Sequence, residues 1–266
     1  MGCDTKAPDG YDPRAYPPVA VTVDVVTFTI VDNHLQILLV RRGQRPDKGL
    51  WALPGGFVRE DEGLEAAALR ELHEETGVVA EPRHLEQLGT YGTPDRDPRM
   101  RVVTVAYWAI LANLPEPKGG GDAAEASLFS VVMVEADALK LAFDHGNIIK
   151  EAVERVRSKL EYTTLAAQFC PPEFTVSQLR RVYEAVWNAR IDPGNFHRKV
   201  TTSPDFLRST GGSTDPQARG GRPAKIYSPG EAEYISSPIM RSPSPRPTPR
   251  RRRPPPDQPP DRSGTD

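Results

Sequence analysis

The sequence predicts an α/β fold built on a mixed sheet, followed by a smaller helical domain. Three observations predict it. Residues 19–31 and 35–42 are β-rich runs joined by Asp32-Asn33, which is a hairpin pattern. Residues 62–76 have the apolar period of a helix, and Pro171-Pro172 marks a shift in composition. With 266 residues, the chain is long enough for one large domain or two small ones.

The other strands and helices of the first domain are predicted from the same kinds of sequence pattern. Residues 101–111 and 127–134 are rich in branched and aromatic side chains and are expected to be strands. Residues 136–162 are expected to form a helix in two pieces, broken near residues 144–146. This mixture of strands and helices predicts a first domain over residues 19–160.

The second domain, over residues 161–228, begins with a clear helix. Apolar residues recur at helical spacing over residues 176–187, and Thr175 or Ser177 is placed to cap the helix. A short turn then precedes a second helix in the stretch NFHRKVTTS. A loop rich in Gly and Arg, with strand-like ends, completes this domain.

The two ends of the chain are expected to lack fixed structure. Residues 1–18 are polar and Pro-rich, which predicts a loose arm. From residue 229 onward, 11 of 38 residues are Pro, and Arg250–Arg253 is an unbroken basic run. Such a composition buries too little apolar surface to offset the entropy of ordering, so residues 229–266 are predicted to be disordered.

Charge is distributed unevenly along the chain. Residues 1–170 carry 18 basic and 26 acidic side chains, a net charge of −8, whereas residues 171–266 have a net charge of +6. The basic C-terminal part is suited to an anionic partner, although a solvated surface would have the same charge. Two cysteines build no disulfide framework or zinc site, and no apolar run is long enough for a membrane span. A cytoplasmic protein with no membrane partner is expected.

The helix at residues 62–76 carries an unusual group of carboxylates. Glu71, Glu74 and Glu75 stand at i, i+3 and i+4 and therefore share one face. Three carboxylates within one turn raise each other's pKa unless a cation neutralises them. A hard divalent cation, Mg²⁺ or Mn²⁺, fits such oxygen ligands, and Mg²⁺ usually adds substrate phosphates to its ligands. A solvated acidic face is the alternative, but such faces normally intersperse Lys at this spacing.

The spacing around these carboxylates resembles the Nudix box at every defined position. It runs from Gly56 through Glu62 to the nine residues RELHEETGV at 70–78. The resemblance implies the Nudix α/β/α sandwich and Mg²⁺-assisted hydrolysis of a diphosphate linked to another moiety. Glu71, Glu74 and Glu75 would then be metal carboxylates, with Glu74 and Arg70 in catalytic roles. Gly56 would let the loop approach the metal, and Glu62 would support the loop.

Further candidates lie outside the box. A general base is often needed for this chemistry. Glu125, expected on a Gly-rich loop, is the first candidate and Asp122 the second, with an ordinary exposed acid as the alternative for Glu125. Ligand contacts are expected from residues before and after the helix, where packing or a solvated loop is the alternative. These residues are Trp51, Gly55, Gly56, Arg96 and Arg99.

A more specific resemblance covers residues 19–228. The stretches LWALPGGFV, TYGTPDRDPRMRVVTVAYWAIL, FTVSQLRRVYEAVWNARIDPGNFHRKV and GRPAKIYS look like the Nudix-related transcriptional regulators of NAD metabolism. This resemblance implies an ADP-ribose-sensing Nudix domain, a C-terminal winged helix-turn-helix that binds double-stranded operator DNA, and a homodimer.

The residues of the second domain support DNA contact independently. A recognition helix inserts its N-terminal side chains into the major groove, and the stretch NFHRKVTTS offers polar and basic ones. Phe196 and Val200, four apart, are expected core anchors. The Arg-rich loop would be the wing. The expected DNA contacts are Asn195, His197, Arg198, Lys199, Thr201, Arg222 and Lys225.

Two functions remain open at this point. The first is a regulator of NAD-related genes that binds ADP-ribose or a related nucleoside diphosphate derivative, with or without hydrolysis of its pyrophosphate. The second is a Mg²⁺-dependent ADP-ribose pyrophosphatase whose C-terminal domain is an accessory without a role in DNA binding. Regulators of this family often carry a degraded box, whereas the box in this chain is complete. Because the box is complete, pyrophosphate hydrolysis is compatible with both functions.

Overall fold

The computed structural model describes residues 9–78, 84–112, 114–115, 117–214 and 223–241. Residues 9–18 are exposed and contain one 3₁₀ turn, Pro13–Ala15, which Asp12 caps. Among the helices that the structure describes, none is both long enough and apolar enough to cross a bilayer.

A mixed sheet forms the centre of the first domain. In the described part of the chain it has seven strands, ordered β3-β2-β1-β6-β5, with β4 beside β1 and β7 beside β2. The pair β1–β6 is parallel and the other pairs are antiparallel. The strands are β1 (Ala20–Val31), β2 (His34–Arg42), β3 (Trp51–Ala52), β4 (Gly55–Phe57), β5 (His84–Tyr91), β6 (Val102–Ile110) and β7 (Ala123–Ser130).

Helices cover both faces of this sheet, which confirms the predicted α/β sandwich. Helix α1 (Leu64–Thr76) packs its buried Ala67 and Ala68 against the face that contains Val25. Helix α3 (His145–Tyr162) packs against the opposite face, which contains Val26. A short helix, α2 (Val131–Glu135), precedes α3. Both faces of β1 are therefore buried, as its nearly continuous apolar run requires.

Two predicted elements of this domain were placed wrongly. The strand expected at residues 127–134 is β7, which ends at Ser130, and the next five residues form α2. The helix expected at residues 136–162 begins only at His145. Asp137 and Phe143 have φ values of 52° and 50°, which a right-handed helix cannot contain. Strands β3, β4 and β5 were not predicted, since each is short or only half-buried.

The second domain consists of two helices and a small sheet. Helices α4 (Val176–Trp187) and α5 (Pro193–Thr202) are followed by the hairpin of β9 (Leu207–Ser213) and β10 (Lys225–Pro229). The strand β8 (Phe174–Thr175) completes a sheet of order β8-β10-β9 in the described residues. Phe196 and Val200 are buried, as the helical period of α5 predicted.

The second domain packs directly on the first. Arg157 of α3 donates from Nε to the carbonyl oxygen of Val186 at 2.9 Å, and the indole N–H of Trp187 donates to the carbonyl oxygen of Arg157 at 3.1 Å. Arg157 also pairs with Glu135 of α2. A single side chain thus links α2, α3 and the end of α4.

The prediction that residues 229–266 are disordered was wrong for the first part of this segment. Pro229 belongs to β10, and Ile235 and Ile239 are each 5% exposed within the core. Two isoleucines four residues apart provide apolar anchors that the high proline content of the whole segment obscured. We call residues 230–241 the strap. Residues 242–266 lie outside the described residues.

Thr175 is the residue that caps α4. Its Oγ1 accepts from the backbone N–H of Gln178 at 3.2 Å, and the Gln178 side chain accepts from the Thr175 N–H at 2.8 Å, which forms a capping box. We therefore expect Thr175→Val to lower the free energy of unfolding by about 1 kcal/mol in urea denaturation. Ser177→Ala is the matched control, because Ser177 is exposed on the same turn. Equal losses in the two variants would contradict this assignment.

Candidate functional site

Two glycines bring the backbone of β4 close to α1. Gly55 and Gly56 pair with Asp24 and Val23 of β1. A Cβ on Gly55 would lie 2.2 Å from the carbonyl oxygen of Val23, and one on Gly56 would lie 2.4 Å from the carboxylate of Glu71. The Gly55 contact is with backbone that cannot move aside, so this approach requires glycine at position 55, whereas a side chain at position 56 would displace the carboxylate of Glu71.

Arg70 organises the carboxylates of α1. Its guanidinium donates to Glu62 at 2.9 and 2.5 Å, to Glu71 at 2.7 Å and to Glu74 at 3.0 Å. Arg70 is only 16% exposed, so little solvent competes for these bonds. Hydrogen bonds from Arg70 and from the backbone N–H of Arg59 lower the pKa of Glu62 to about 2. The loop that enters α1 is thereby fixed to the helix.

Glu75 is in a different environment from the other box carboxylates. Burial, together with the charges of Glu71 and Asp24, raises its pKa to about 8, although the Gly55 N–H bond opposes this shift. That N–H donates to Glu75 Oε2 at 2.9 Å. A buried carboxylate with a raised pKa is one that a cation would stabilise in its charged form.

The three carboxylates line one groove, which we call the carboxylate groove. Its walls also contain Asp122 and Arg59, and Arg59 donates to Glu74 at 3.2 Å. Within the described residues, no three His, Cys, Asp or Glu side chains converge closely enough to form a ready metal site. Arg70 holds one oxygen of Glu71, Oε1, and leaves Oε2 facing no described donor. The donor type in this groove, carboxylate oxygen, is the one that a hard divalent cation prefers.

A polar pocket of about 130 Å³ adjoins the groove and shares Gly55, Gly56 and Asp122 with it. Arginines and aromatic rings form its wall. The guanidinium carbon of Arg42 lies 4.6 Å from the ring centroid of Phe143, and that of Arg99 lies 5.3 Å from the ring of Phe57. Cations held beside rings in this way provide a surface for an anionic ligand with a planar group.

Buried charges form the floor of the polar pocket. Arg96 donates to both oxygens of Asp144, at 2.7 and 3.1 Å, and its Nη2 lies 3.7 Å from Oδ2 of Asp24. Thr104 donates to the same Asp24 oxygen at 2.7 Å. Asp24 is 6% exposed, so these partners take the place of water around its carboxyl group.

His145 completes this network as a neutral side chain. The backbone N–H of Leu53 donates to its Nδ1 at 2.9 Å, so the ring proton is on Nε2, 3.5 Å from Oδ1 of Asp24. Burial lowers the pKa of His145, and the charge of Asp24 opposes that shift. His145 is also the first residue of α3, so this helix begins at the pocket.

The structure brings some of the predicted site residues together. Gly55, Gly56, Arg96 and Arg99 line the polar pocket. Trp51 lies elsewhere, packed edge-on against Phe129 with ring centroids 4.6 Å apart.

Glu125, the first candidate for the base, is separated from both cavities. It lies within β7 rather than on a loop, and it pairs with Arg41 at 3.7 Å. Asp122, the second candidate, lines both cavities, and its Oδ1 accepts from Gln44 at 2.9 Å. The loop expected to end after Glu125 ends at Asp122, and this offset moves Glu125 away from the site.

The pocket residues that sequence reasoning missed include Asp24, Arg42, Phe143 and His145. One of them gave a detectable signal. Asp24 is the only charged residue in the apolar run of β1, and a charge in a buried strand usually marks a paired or functional group. The other three residues reach the pocket only through the tertiary fold.

Helix α5 presents a polar face to solvent. Asn195, His197, Arg198 and Thr201 are exposed, and Asp192 caps the helix by accepting from the Asn195 backbone N–H at 2.8 Å. Lys199 is half-buried and donates to the carbonyl oxygen of Pro238 in the strap. Lys225 is exposed on β10, whereas Arg222 lies outside the described residues. The exposed part of α5 thus presents polar and basic side chains of the kind that contact DNA from a recognition helix.

The fold and the sites together define a Nudix domain followed by a winged helix. Family models match both: the NUDIX domain at residues 21–152 and the NrtR DNA-binding winged helix domain at residues 166–228. The ADPR responsive transcriptional repressor NtrR of Acinetobacter baylyi is 36% identical over 219 residues, which is 82% of this chain and 84% of that protein. The chain therefore belongs to the NrtR family of Nudix regulators.

Two further relatives bear on the two domains. The ADP-ribose pyrophosphatase of Methanocaldococcus jannaschii is 42% identical over 138 residues, or 52% of this chain and 75% of that enzyme. The crystal structure of Shewanella oneidensis NrtR complexed with a 27mer DNA covers 83% of this chain and 99% of that one, with 33% identity and a TM-score of 0.69.

The environment of Glu75 predicts a dependence of stability on pH. Its pKa in the folded protein, about 8, lies above the ordinary value of 4.5, so the folded state binds the extra proton and loses stability as pH rises between these values. In metal-free buffer we expect Glu75→Gln to unfold at a higher urea concentration than wild type at pH 8.5, with a smaller difference at pH 5. Glu65→Gln, an exposed change on the same helix, should show no such trend. A pH-independent difference for Glu75→Gln would contradict the assignment.

Proposed function

We propose that this chain is an ADP-ribose-responsive transcriptional repressor of NAD-related genes, which binds double-stranded operator DNA as a homodimer in the cytoplasm. One observation carries the proposal: a pocket lined by arginines and rings lies in the same chain as an exposed, polar recognition helix. The Acinetobacter relative, similar over most of both chains, carries the corresponding name. An accessory role for the second domain is less consistent with the family to which that domain belongs.

The polar pocket suits a nucleoside diphosphate derivative. Arg42 and Arg99 line it and can neutralise a diphosphate, while Phe143 and Phe57 beside them can pack against a base or ribose. The buried pair of Arg96 and Asp144 fixes the loop and the helix on either side. A ligand bound in the polar pocket would contact β4, the loop after β5 and the start of α3 at the same time.

The carboxylate groove supports a second activity, hydrolysis of the pyrophosphate of ADP-ribose. A bound Mg²⁺ or Mn²⁺, held by Glu71, Glu74 and Glu75, would neutralise phosphate charge and acidify a water. Arg70 would keep two of these carboxylates in position, as it does through its bonds to Glu71 and Glu74. The similarity of the first domain to an ADP-ribose pyrophosphatase agrees with this activity.

Asp122 is the better placed side chain for accepting a proton from the attacking water. Its Oδ1 is occupied by Gln44, and it lies in the wall that the groove and the pocket share. Glu125 is held by Arg41 at 3.7 Å and lines neither cavity. The order of the two candidate bases is therefore reversed relative to the expectation from sequence.

The hydrolysis proposal is tested by AMP release from ADP-ribose in the presence of Mg²⁺. We expect Glu74→Gln to abolish turnover, because it removes a metal carboxylate, and Asp122→Asn to lower kcat by a factor on the order of 10²–10⁴, as for the loss of a general base. Glu125→Gln is the control and should retain wild-type kcat. No turnover by wild type would eliminate the hydrolase activity for this substrate, and a loss in Glu125→Gln alone would restore the original order of the two bases.

The regulator proposal is tested by fluorescence anisotropy on a duplex from the upstream region of an NAD-related gene. We expect ADP-ribose to change the Kd for this DNA at least several-fold, since coupling between sites is typically of this size. Arg198→Gln should weaken DNA binding and leave the Kd for ADP-ribose unchanged, because Arg198 is exposed on α5. Arg99→Gln should weaken ADP-ribose binding and leave ligand-free DNA binding unchanged.

Arg14→Gln, an exposed change near the N-terminus, is the control for both variants. DNA affinity that does not respond to ADP-ribose in wild type would overturn the proposed regulation. Equal losses in Arg198→Gln and Arg14→Gln would overturn the assignment of α5 as the recognition helix.

A further inference from the structure

Arg59 contacts a box carboxylate, although it is not one of the residues that define the box. It lies between Gly56 and Glu62, in the stretch where the box pattern specifies no residue. Its Nη2 donates to Oε1 of Glu74 at 3.2 Å, and its side chain lines the carboxylate groove. The box therefore assigns no role to an arginine that stands among the proposed metal carboxylates.

Glu74 is the carboxylate of the groove whose two oxygens both bond to arginines. Oε1 accepts from Arg59, and Oε2 accepts from Arg70 at 3.0 Å. Glu71 and Glu75 each accept through one oxygen only, so that within the described residues Oε2 of Glu71 and Oε1 of Glu75 accept no hydrogen bond. A divalent cation that approaches Glu74 meets a positive charge at either oxygen and competes with one of the two arginines.

Arg59 is the arginine that is easier to displace. The side chain of Arg70 is 16% exposed, and its guanidinium also bonds to Glu62 and Glu71. The side chain of Arg59 is 57% exposed, and within the described residues Glu74 alone holds its guanidinium. Exposed ion pairs of this kind contribute little to stability, because water and dissolved ions compete with them.

The backbone of Arg59 is anchored independently of its side chain. Its N–H donates to Oε1 of Glu62 at 2.9 Å, and its carbonyl oxygen accepts from the Glu62 N–H at 3.4 Å. On the other side, the carbonyl oxygen of Phe57 accepts from Arg70 at 3.2 Å. Release of Glu74 therefore requires the rotation of one side chain and no rearrangement of the loop.

A diphosphate would meet Arg59 in the same groove. The polar pocket adjoins the groove, and Gly56 and Phe57 line both. Mg²⁺ in proteins usually takes substrate phosphates among its ligands, so a diphosphate bound together with a cation extends from the pocket into the groove. A guanidinium that has left Glu74 would then be available to donate to phosphate oxygens, which its planar fork matches.

We propose that Arg59 is an exchangeable partner of Glu74. It pairs with this carboxylate until a divalent cation takes its place, and it then binds the phosphates of the nucleoside diphosphate. This inference rests on the proposed binding of Mg²⁺ or Mn²⁺ in the carboxylate groove. Arg59 links the two binding steps, since metal binding frees the charge that the diphosphate uses. An exposed ion pair without this role would leave metal binding and diphosphate binding unlinked.

Competition for Glu74 is measured without nucleotide, by titrating the full chain with Mn²⁺ and recording the EPR signal of the free ion. We expect Arg59→Gln to lower the Kd for Mn²⁺ by a factor of about 2 to 5, which corresponds to the loss of one exposed ion pair. Arg59→Lys, which keeps a competing charge, should bind Mn²⁺ as wild type does.

The matched control for the lost charge is Lys118→Gln. Lys118 is exposed near the end of α1, where its backbone N–H donates to the carbonyl oxygen of Thr76 at 2.8 Å. This variant removes one positive charge near the same helix and should keep the wild-type Kd for Mn²⁺. An equal gain in Lys118→Gln and Arg59→Gln would overturn the competition, because it would reflect net charge alone.

Exchange to the phosphates is measured by calorimetry with the α,β-methylene analogue of ADP-ribose, whose bridging carbon prevents hydrolysis of the diphosphate. With saturating Mn²⁺ we expect Arg59→Gln to raise the Kd for the analogue about ten-fold, because a hydrogen bond to a charged phosphate is lost. Without metal the Kd should equal that of wild type, since Glu74 then engages Arg59. Arg59→Lys should regain most of the affinity in Mn²⁺.

The outcomes separate this inference from the proposed function. Unchanged Mn²⁺ affinity in Arg59→Gln would overturn the exchange and leave the proposed hydrolysis standing. An affinity for the analogue that Arg59→Gln leaves unchanged in Mn²⁺, or lowers equally with and without Mn²⁺, would also overturn it. No Mn²⁺ binding by wild type would overturn the proposed metal site together with this inference.

Discussion

The site depends on the hydrogen bonds that Arg70 makes to Glu62, Glu71 and Glu74. One guanidinium, largely shielded from solvent, offsets the repulsion among carboxylates that stand within two turns of helix. The same bonds fix the loop before α1, and this loop brings Gly56 against Glu71. Without Arg70 the helix would carry uncompensated charge, and the groove would lose both its shape and its electrostatic balance.

The local parts of this structure were predictable from the sequence. The box is a spacing along one loop and one helix, so Gly56, Glu62 and Arg70 could be placed before any tertiary contact was known. The apolar period of α4 and its Thr175 cap are local in the same sense. These elements satisfy their hydrogen bonds within a few residues, which makes the sequence pattern a sufficient guide to them.

The polar pocket and the strap were not predictable in this way. Asp24 and His145 meet across 121 positions of sequence, and their proximity depends on the parallel pairing of β1 with β6 and on the packing of α3. The strap was concealed by composition, because two isoleucines and one glycine decide its structure within a proline-rich segment. Such residues are buried by contacts with distant parts of the chain. The average composition of a sequence segment hides them, because it does not distinguish individual positions.

Helix α3 joins the pocket to the DNA-binding domain. His145, its first residue, lies in the pocket floor, while its last turns contact α4 and the strap. Its 18 residues make a rigid rod of about 27 Å. For a lever of that length, a rotation of about 5° at the pocket end moves the far end by about 2 Å. A displacement of this size is comparable to the register of a side chain against a base edge, so a small tilt of α3 on binding of the proposed ligand would be enough to shift α5 relative to the proposed DNA.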